Sequence, residues 1–160
     1  TNRQLILACE LFEGLSGSGV DLLVESATRL YFEIGRRIIN VNEHSPGVYI
    51  IRSGAVAVYY QDAELAMVSA GHVFGEMSAL TVDALSSCVV MAKTNLTVLF
   101  LSSDIVNKIM ESHPSLRDAW LALVKRRNKM NRDVLKQISE KTGTEQCSNF
   151  EAFIAKFFML

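Results

Sequence analysis

The sequence predicts one α+β domain: an antiparallel β-roll with short helices before it and one long helix after it. The chain has 160 residues, which suits a single domain of ordinary size. Short β-rich runs follow one another closely in its middle third, and both flanks show helical periodicity. Short strands at this spacing favour a two-sheet architecture of the jelly-roll, or double-stranded β-helix, type.

Residues 1–30 are expected to form the N-terminal helices of the same domain. Their two apolar faces are predicted to contain Leu5, Leu7, Ala8, Leu11 and Phe12, then Val20, Leu22, Leu23, Ser26, Ala27 and Leu30. The glycine-rich stretch LFEGLSGSG separates the two helices.

Residues 31–102 are expected to form the roll. Two β-rich runs meet at Ser53-Gly54, a dipeptide typical of a hairpin. The run 63–74 continues the strand pattern with a turn near Gly71, and the run 88–102 is divided by a turn at 93–95.

Residues 103–140 are expected to be helical, with Asp104 as the N-cap of a helix that runs to Met110. Pro114 permits a second start, and apolar spacing then predicts an amphipathic helix of about 25 residues, roughly 37 Å long. Its stripe contains Leu116, Trp120, Leu123, Arg127, Met130 and Val134. That stripe could be a dimer seam, a lid over a ligand or packing on the roll, and residues 141–160 form a tail.

Composition limits the function. The net charge of −1 gives no reason to expect direct binding of nucleic acid or of a membrane, and the basic run 125–132 is interpreted as a solvated helix face. Three scattered cysteines indicate a reduced, cytoplasmic compartment. The three histidines lack the spacing of metal ligands, and no catalytic cluster is evident, so neither a metal site nor an enzyme is expected.

The stretch 74–90, FGEMSALTVDALSSCVV, carries the functional argument. Gly75 allows close approach of the backbone, and Glu76 supplies a carboxylate. Met77 and Ser78 begin a possible helical turn whose first N–H groups could bind a phosphate. Ser86 and Ser87 add hydroxyl groups before the next strand. A carboxylate beside an anion site suits a ligand with a sugar hydroxyl and a phosphate. The alternatives are that Glu76 is a structural carboxylate and that the serines bond locally to the backbone.

At these residues the chain resembles the cyclic-nucleotide-binding domain family, which includes catabolite-activator regulators, protein kinase A regulatory subunits and cyclic-nucleotide-gated channels. The family's cassette reads FGE, then small and apolar residues, then Pro-Arg-small-Ala-Thr. The likeness extends over about residues 10–135. It includes LFEGL at 11–15, the F-x-x-G-x-x-I pattern at Phe32, Gly35 and Ile38, YIIRSG at 49–54, and Val56 and Val58.

The resemblance implies that Glu76 accepts a hydrogen bond from the ribose 2′-hydroxyl and that the backbone near Ser78 caps the cyclic phosphate. The chain departs from the family at Ala84 and Leu85, which replace the usual Pro and phosphate-binding Arg. Cys88 stands where the family often has Thr, which favours cyclic AMP over cyclic GMP. The candidate ligand-binding residues are Gly75, Glu76, Met77, Ser78, Leu85, Ser86, Ser87 and Cys88.

The sequence therefore predicts a regulatory sensor of a cyclic nucleotide, with cyclic AMP as first candidate and no required cofactor, that signals through its C-terminal helix and forms a homodimer there. A ligand-silent module used for dimerisation or protein docking is the alternative that Leu85 favours. The sensor half of a Crp/Fnr-type transcription regulator is a third hypothesis.

Overall fold

The structure is a computed structural model that describes residues 1–75, 88–122 and 126. Three sequence predictions lie outside these residues: the cassette from Glu76 to Ser87, the course of the C-terminal helix after Ala122, apart from helical Arg126, and the tail 141–160. Within the described part, no helix is both long and apolar enough to span a membrane.

Two short helices precede the strands, as the sequence predicts, and a 3₁₀ turn lies between them. They are α1 (Asn2–Ala8), the 3₁₀ turn (Glu10–Phe12) and α2 (Gly17–Ser26). Thr1 caps α1 by accepting a hydrogen bond from the backbone N–H of Gln4 at 3.2 Å. Ser16 caps α2 in the same way, by accepting from Gly19 N at 3.2 Å. The helices are separate, as predicted, but Leu11 and Phe12 lie in the 3₁₀ turn and not in α1, and α2 begins within the stretch predicted to break the helix.

The predicted apolar faces of these helices are correct only in part. Ile6, which the periodicity did not select, is fully buried, whereas Leu7 is 57% exposed. Leu22 is likewise exposed, and Leu30 belongs to the first strand and not to α2. A helix of two turns presents several equally plausible apolar faces, so the position of the neighbouring sheet decides which one is buried.

Eight strands within the described residues form two four-stranded antiparallel sheets. The first sheet has the order β1 (Thr28–Phe32), β8 (Leu96–Ser102), β3 (Gly47–Ser53), β6 (Val73–Phe74). The second has the order β2 (Arg37–Ile39), β7 (Val89–Ala92), β4 (Ala55–Tyr60), β5 (Ala63–Ser69). The predicted antiparallel two-sheet roll is thus confirmed.

The hairpin predicted at Ser53-Gly54 is wrong, because β3 and β4 lie in different sheets. Gly54 instead forms a corner at which the chain passes from one sheet to the other. Its φ is +93°, and a Cβ there would lie 2.4 Å from the carbonyl oxygen of Asn95. The turn at 93–95 is the matching corner between β7 and β8: Ala55 N donates to Thr94 Oγ1 at 3.1 Å, and Lys93 N donates to Ala55 O at 3.0 Å.

Two more corners complete the set. At Gly35, the backbone N–H donates to Ala92 O at 2.8 Å. At Gly71, the predicted turn is confirmed, and its N–H donates to Ile51 O at 2.9 Å. The eight strands are therefore four long extended segments, each divided between the two sheets. The tight hairpin of the roll lies between β4 and β5, where Gln61 adopts a φ of 53°.

The first sheet has an apolar core on each of its faces. Alternate residues of β3 point to opposite sides: Val48 and Ile50 pack against the helices, and Tyr49 and Ile51 pack between the two sheets. All four are buried. A strand buried on both faces reads as a continuous apolar run, and this explains the unbroken sequence VYII.

Two helices follow the roll. The helix α3 (Ser103–Ser112) is capped by Ser102 and not, as predicted, by Asp104, which lies in its first turn. Residues 114–122 form the described part of α4, with Pro114 at its first position, as predicted. Leu116 and Trp120 pack into the core between the helices and the first sheet. The first two positions of the predicted stripe therefore pack on this chain's own core.

The indole of Trp120 offers a test of this packing. It is 7% exposed, and its Nε1 makes no hydrogen bond. Trp120→Ala should lower the free energy of unfolding by about 3–5 kcal/mol because it leaves a cavity. Trp120→Phe should cost less than Trp120→Ala, because the smaller ring fills part of the space and no hydrogen bond is lost. Urea unfolding measures both; equal losses for the two variants would contradict this account.

Candidate ligand-binding site

Gly75 marks the beginning of the candidate site at the end of β6. Its φ is +81°, and a Cβ there would lie 2.9 Å from Ser45 Oγ and 3.1 Å from both Gly47 O and Tyr49 Cδ2. A side chain is therefore excluded by conformation and by space together. The sequence predicts that Gly75 lets the backbone approach a ligand closely. Among the described residues, the chain's own segment 45–49 lies close to Gly75.

Ser45 is a part of this region that sequence reasoning missed. It is the buried polar residue of the described core, 2% exposed, and its hydroxyl donates to Gly47 O at 2.8 Å. This bond fixes the segment against which Gly75 packs. A serine between His44 and Pro46 gives no sequence signal of burial, because its role depends on a strand that follows almost thirty residues later.

An aromatic cluster supports the same point from inside the roll. The ring of Tyr49 stacks on Phe74 with centroids 4.8 Å apart and planes 3° apart, and it packs against Phe100 at 5.0 Å and Phe32 at 6.5 Å. Such contacts hold the rings rigidly. Burial raises the pKa of the Tyr49 hydroxyl. The end of β6 is thus held by a cluster of aromatic rings from three other strands, β1, β3 and β8.

Cys88 lies at the other end of the cassette, immediately before β7. It is 3% exposed, and burial raises the pKa of its thiol from 9.0 to about 12. Burial, and then the neighbouring Cys88, raise the pKa of Tyr60, so the two groups lie near each other. The thiol remains protonated at neutral pH and is a weak hydrogen-bond donor.

The described strands establish what the cassette connects. Gly75 follows the edge strand of the first sheet, and Cys88 precedes a central strand of the second. The twelve residues between them join the two sheets. Of the eight predicted site residues, Gly75 and Cys88 are described, and the other six (Glu76, Met77, Ser78, Leu85, Ser86 and Ser87) lie outside the described part of the chain.

The described core between the sheets carries no positive charge. Its buried members are all apolar or aromatic: Ile39, Tyr49, Ile51, Val56, Phe74, Val90, Ala92, Leu96 and Val98. The two cations that flank the cassette in sequence are elsewhere. Arg52 is exposed beside the Gly54 corner, and exposed Lys93 forms an ion pair with Glu64. Neither belongs to this core.

An open groove among the described residues lies apart from the cassette. Its volume is about 250 Å³, and it is lined by residues 64–67 and Lys93. It shares no residue with the predicted site. No group of three or more potential metal ligands occurs within residues 1–75 and 88–122.

Comparison with known proteins identifies the family. The sequence profile described as the cyclic nucleotide-binding domain matches residues 29–113, which is more than half of the chain. The chain belongs to the cyclic nucleotide-binding domain family. The resemblance seen in the sequence is thereby confirmed, and this domain is of a regulatory type.

Two curated relatives illustrate the family. The chain is 30% identical over 122 residues to the cyclic AMP receptor protein of Thermus thermophilus, covering 72% of this chain and 49% of that protein. It is 24% identical over 109 residues to the cGMP-dependent protein kinase of Eimeria tenella, covering 68% and 11% respectively. The chain spans about half the length, or less, of the curated relatives it matches.

A solved structure matches the fold. The sensor domain of the transcriptional regulator DNR from Pseudomonas aeruginosa superposes with a TM-score of 0.71 at 20% identity. The match covers 82% of this chain and 91% of that domain. At this identity the likeness concerns the architecture of the cyclic nucleotide-binding domain alone.

The close approach at Gly75 predicts a specific loss of stability. Gly75→Ala and Gly71→Ala both place a side chain at a positive φ, which costs roughly 1–2 kcal/mol. At Gly71 a Cβ would meet nothing within 4 Å, whereas at Gly75 it meets three atoms. Gly75→Ala should therefore be the more destabilising by about 1 kcal/mol or more in urea unfolding. Equal losses would indicate that the segment 45–49 does not constrain Gly75.

The buried thiol of Cys88 predicts a pH dependence. In the unfolded chain the thiol ionises from about pH 9, whereas in the folded domain its pKa is about 12. Above pH 9 the unfolded state binds fewer protons, so the free energy of unfolding should fall by up to about 1.4 kcal/mol per pH unit. Below pH 9 this contribution to the slope disappears.

Cys88→Ala isolates the effect from other groups that titrate in the same range. The variant should show a shallower fall in the free energy of unfolding between pH 9 and 10.5 than the parent chain. Parallel curves for the two proteins would show that the thiol is accessible to water.

Proposed function

We propose that this domain is a regulatory sensor that binds a cyclic nucleotide, with cyclic AMP as the first candidate, at the cassette 74–90. The observation that carries the proposal is the placement of the two cassette ends. Gly75 is wedged against the first sheet, and Cys88 is buried at the start of a central strand of the second. The intervening FGE-type segment is therefore tied to both walls of the roll.

Five cassette residues have a proposed contact with the nucleotide. Glu76 accepts a hydrogen bond from the ribose 2′-hydroxyl, and the backbone N–H groups of Met77 and Ser78 contact the cyclic phosphate. The hydroxyl groups of Ser86 and Ser87 donate to the same phosphate as neutral groups. The rigid aromatic cluster around Tyr49 supports this arrangement, because it holds the strand that leads into Gly75 in one position.

Leu85 lowers the proposed affinity of the site for a phosphate, compared with that of a cassette that carries an arginine at this position. A guanidinium fork to a phosphate is worth about 1.5–3 kcal/mol, which corresponds to about 10- to 150-fold in affinity. Within the described residues, the core between the sheets offers no cation in its place. The proposed affinity for cyclic AMP is accordingly lower than in a domain with the complete cassette.

Cys88 bears on the choice of nucleobase. A threonine hydroxyl at this position can bond to guanine, whereas a protonated thiol with a pKa of about 12 forms only weak hydrogen bonds. This difference supports cyclic AMP over cyclic GMP. It is a preference of modest size, because one weak polar contact distinguishes the two bases.

The proposed output is the C-terminal helix. Binding would favour one position of α4 over another by the difference in affinity between the two states. Leu116 and Trp120 anchor the first turns of α4 in the core that also contains Val48 and Ile50 of β3. A homodimer through the later part of α4, and a place as the sensor half of a transcription regulator, are extensions of this proposal.

A ligand-silent module for dimerisation or protein docking is the second candidate function. Leu85 favours it, as does the wholly apolar character of the described core between the sheets. The two candidates differ in one measurable property, which is whether the cassette binds a cyclic nucleotide at any attainable concentration.

Isothermal calorimetry on the parent chain and on Leu85→Arg separates the candidates. The parent chain should bind cyclic AMP weakly and more tightly than cyclic GMP. Leu85→Arg should increase the affinity for cyclic AMP about 10- to 150-fold, because it restores the charge-assisted bond to the phosphate.

Leu22→Arg is the matched control, since it introduces the same charge on an exposed position of α2, outside the cassette. It should leave the affinity unchanged. No heat from the parent chain or from Leu85→Arg at millimolar ligand would remove the sensor hypothesis and leave the silent module. An equal gain in Leu22→Arg would indicate nonspecific attraction of the anion.

A further inference from the structure

His113 occupies the junction between α3 and α4 and serves both helices through its backbone. Its N–H donates to Met110 O at 3.4 Å, at the end of α3. Its carbonyl oxygen accepts from Leu116 N at 3.0 Å and from Arg117 N at 3.3 Å, in the first turn of α4. The backbone of His113 therefore caps the carboxyl end of α3 and begins the hydrogen-bond pattern of α4.

The side chain of His113 reaches a third helix. Its Nδ1 lies 3.0 Å from Ile109 O, and its Nε2 lies 3.2 Å from Ser16 Oγ. A carbonyl oxygen only accepts, so Nδ1 carries the proton in the neutral ring. Nε2 is then an acceptor, and the hydroxyl of Ser16 must donate to it.

Ser16 continues this series of bonds into α2. Its oxygen is the N-cap of that helix and accepts from Gly19 N at 3.2 Å. A directed series therefore runs from Gly19 N through the Ser16 hydroxyl and the His113 ring to Ile109 O. It links the amino end of α2 to the carboxyl end of α3, at the point where α4 begins.

The same three helices share one apolar core beneath this series of bonds. Val20 and Leu23 of α2, Ile109 of α3 and Leu116 of α4 are all buried in it. Ser16 and His113 are far apart in sequence, so their bond is a tertiary constraint and not a local cap. It lies outside the buried core, since Ser16 is exposed and His113 is only partly buried.

We propose that His113 is a positioning residue that clasps the first turn of α4 to the amino end of α2. The clasp acts whether or not the cassette binds a nucleotide, so its failure and that of the sensor hypothesis are separate results.

Ser16→Asp tests the clasp without removing the cap of α2. Aspartate is a good N-cap, but its carboxylate only accepts. A neutral ring carries a proton on only one nitrogen. If Nδ1 is protonated, the lone pair of Nε2 faces the carboxylate; if Nε2 is protonated, the lone pair of Nδ1 faces Ile109 O. One bond is therefore lost in either case. Ser16→Thr keeps both the cap and the donating hydroxyl, so it should preserve the clasp.

Hydrogen exchange on the full chain, corrected for intrinsic rates, is the measurement. In Ser16→Asp at pH 8, the amides of Leu116 and Arg117 should exchange roughly two- to twelve-fold faster than in the parent chain, which is the effect of one net hydrogen bond. In Ser16→Thr their protection should match that of the parent chain, and α2 should keep its protection in both variants.

Gly17→Asp is the matched control, because it adds the same charge to the first turn of α2 at a position where a Cβ would meet nothing within 4 Å. It should leave α4 unchanged. The proposal is overturned if Ser16→Asp does not alter α4, if Ser16→Thr alters it as much, or if Gly17→Asp reproduces the effect of Ser16→Asp.

A second measurement applies if Ser16→Asp does not fold. Nitrogen NMR of the parent chain at pH 8 should show the His113 ring protonated at Nδ1. Protonation at Nε2 would make Ser16 the acceptor, remove the bond between Nδ1 and Ile109 O, and overturn the proposal.

Discussion

The architecture depends on four corners at which extended segments pass from one sheet to the other. Three of them use glycines with positive φ, at Gly35, Gly54 and Gly71, and the fourth is the turn 93–95. Backbone hydrogen bonds join neighbouring corners, so each constrains the next. Because the third segment ends at Gly75 and the fourth begins at Cys88, the corners also determine where the cassette leaves the first sheet and enters the second.

Strand β3 connects the two halves of the domain physically. On one face, Val48 and Ile50 belong to the core shared with the helices, and on the other, Tyr49 contacts the aromatic rings beside Gly75. A close-packed strand responds to a displacement as a unit and not residue by residue. The helices and the end of β6 therefore contact the same strand from opposite sides.

The proposed site has a rigid approach to the cassette but lacks the positive charge expected there. Gly75 and the aromatic cluster hold the approach to the cassette rigidly. Leu85 takes the place at which the sequence resemblance implies a cation for the phosphate. Electrostatic attraction is the component of binding that shape alone does not replace. In the proposed complex, selectivity accordingly depends more on backbone N–H groups, on Glu76 and on the base contact near Cys88.

The sequence alone determined the element types, the glycines at turns and the family, because these are encoded in short windows and in motifs of fixed spacing. Only the tertiary structure decided which strands pair. Ser53-Gly54 has the composition of a hairpin and forms a corner, since the partners of β3 are β8 and β6. The same is true of the burial of Ile6 in place of Leu7, and of Gly75 against Ser45. In each case the outcome depends on contacts between residues distant in sequence, whose free energy local propensity does not contain.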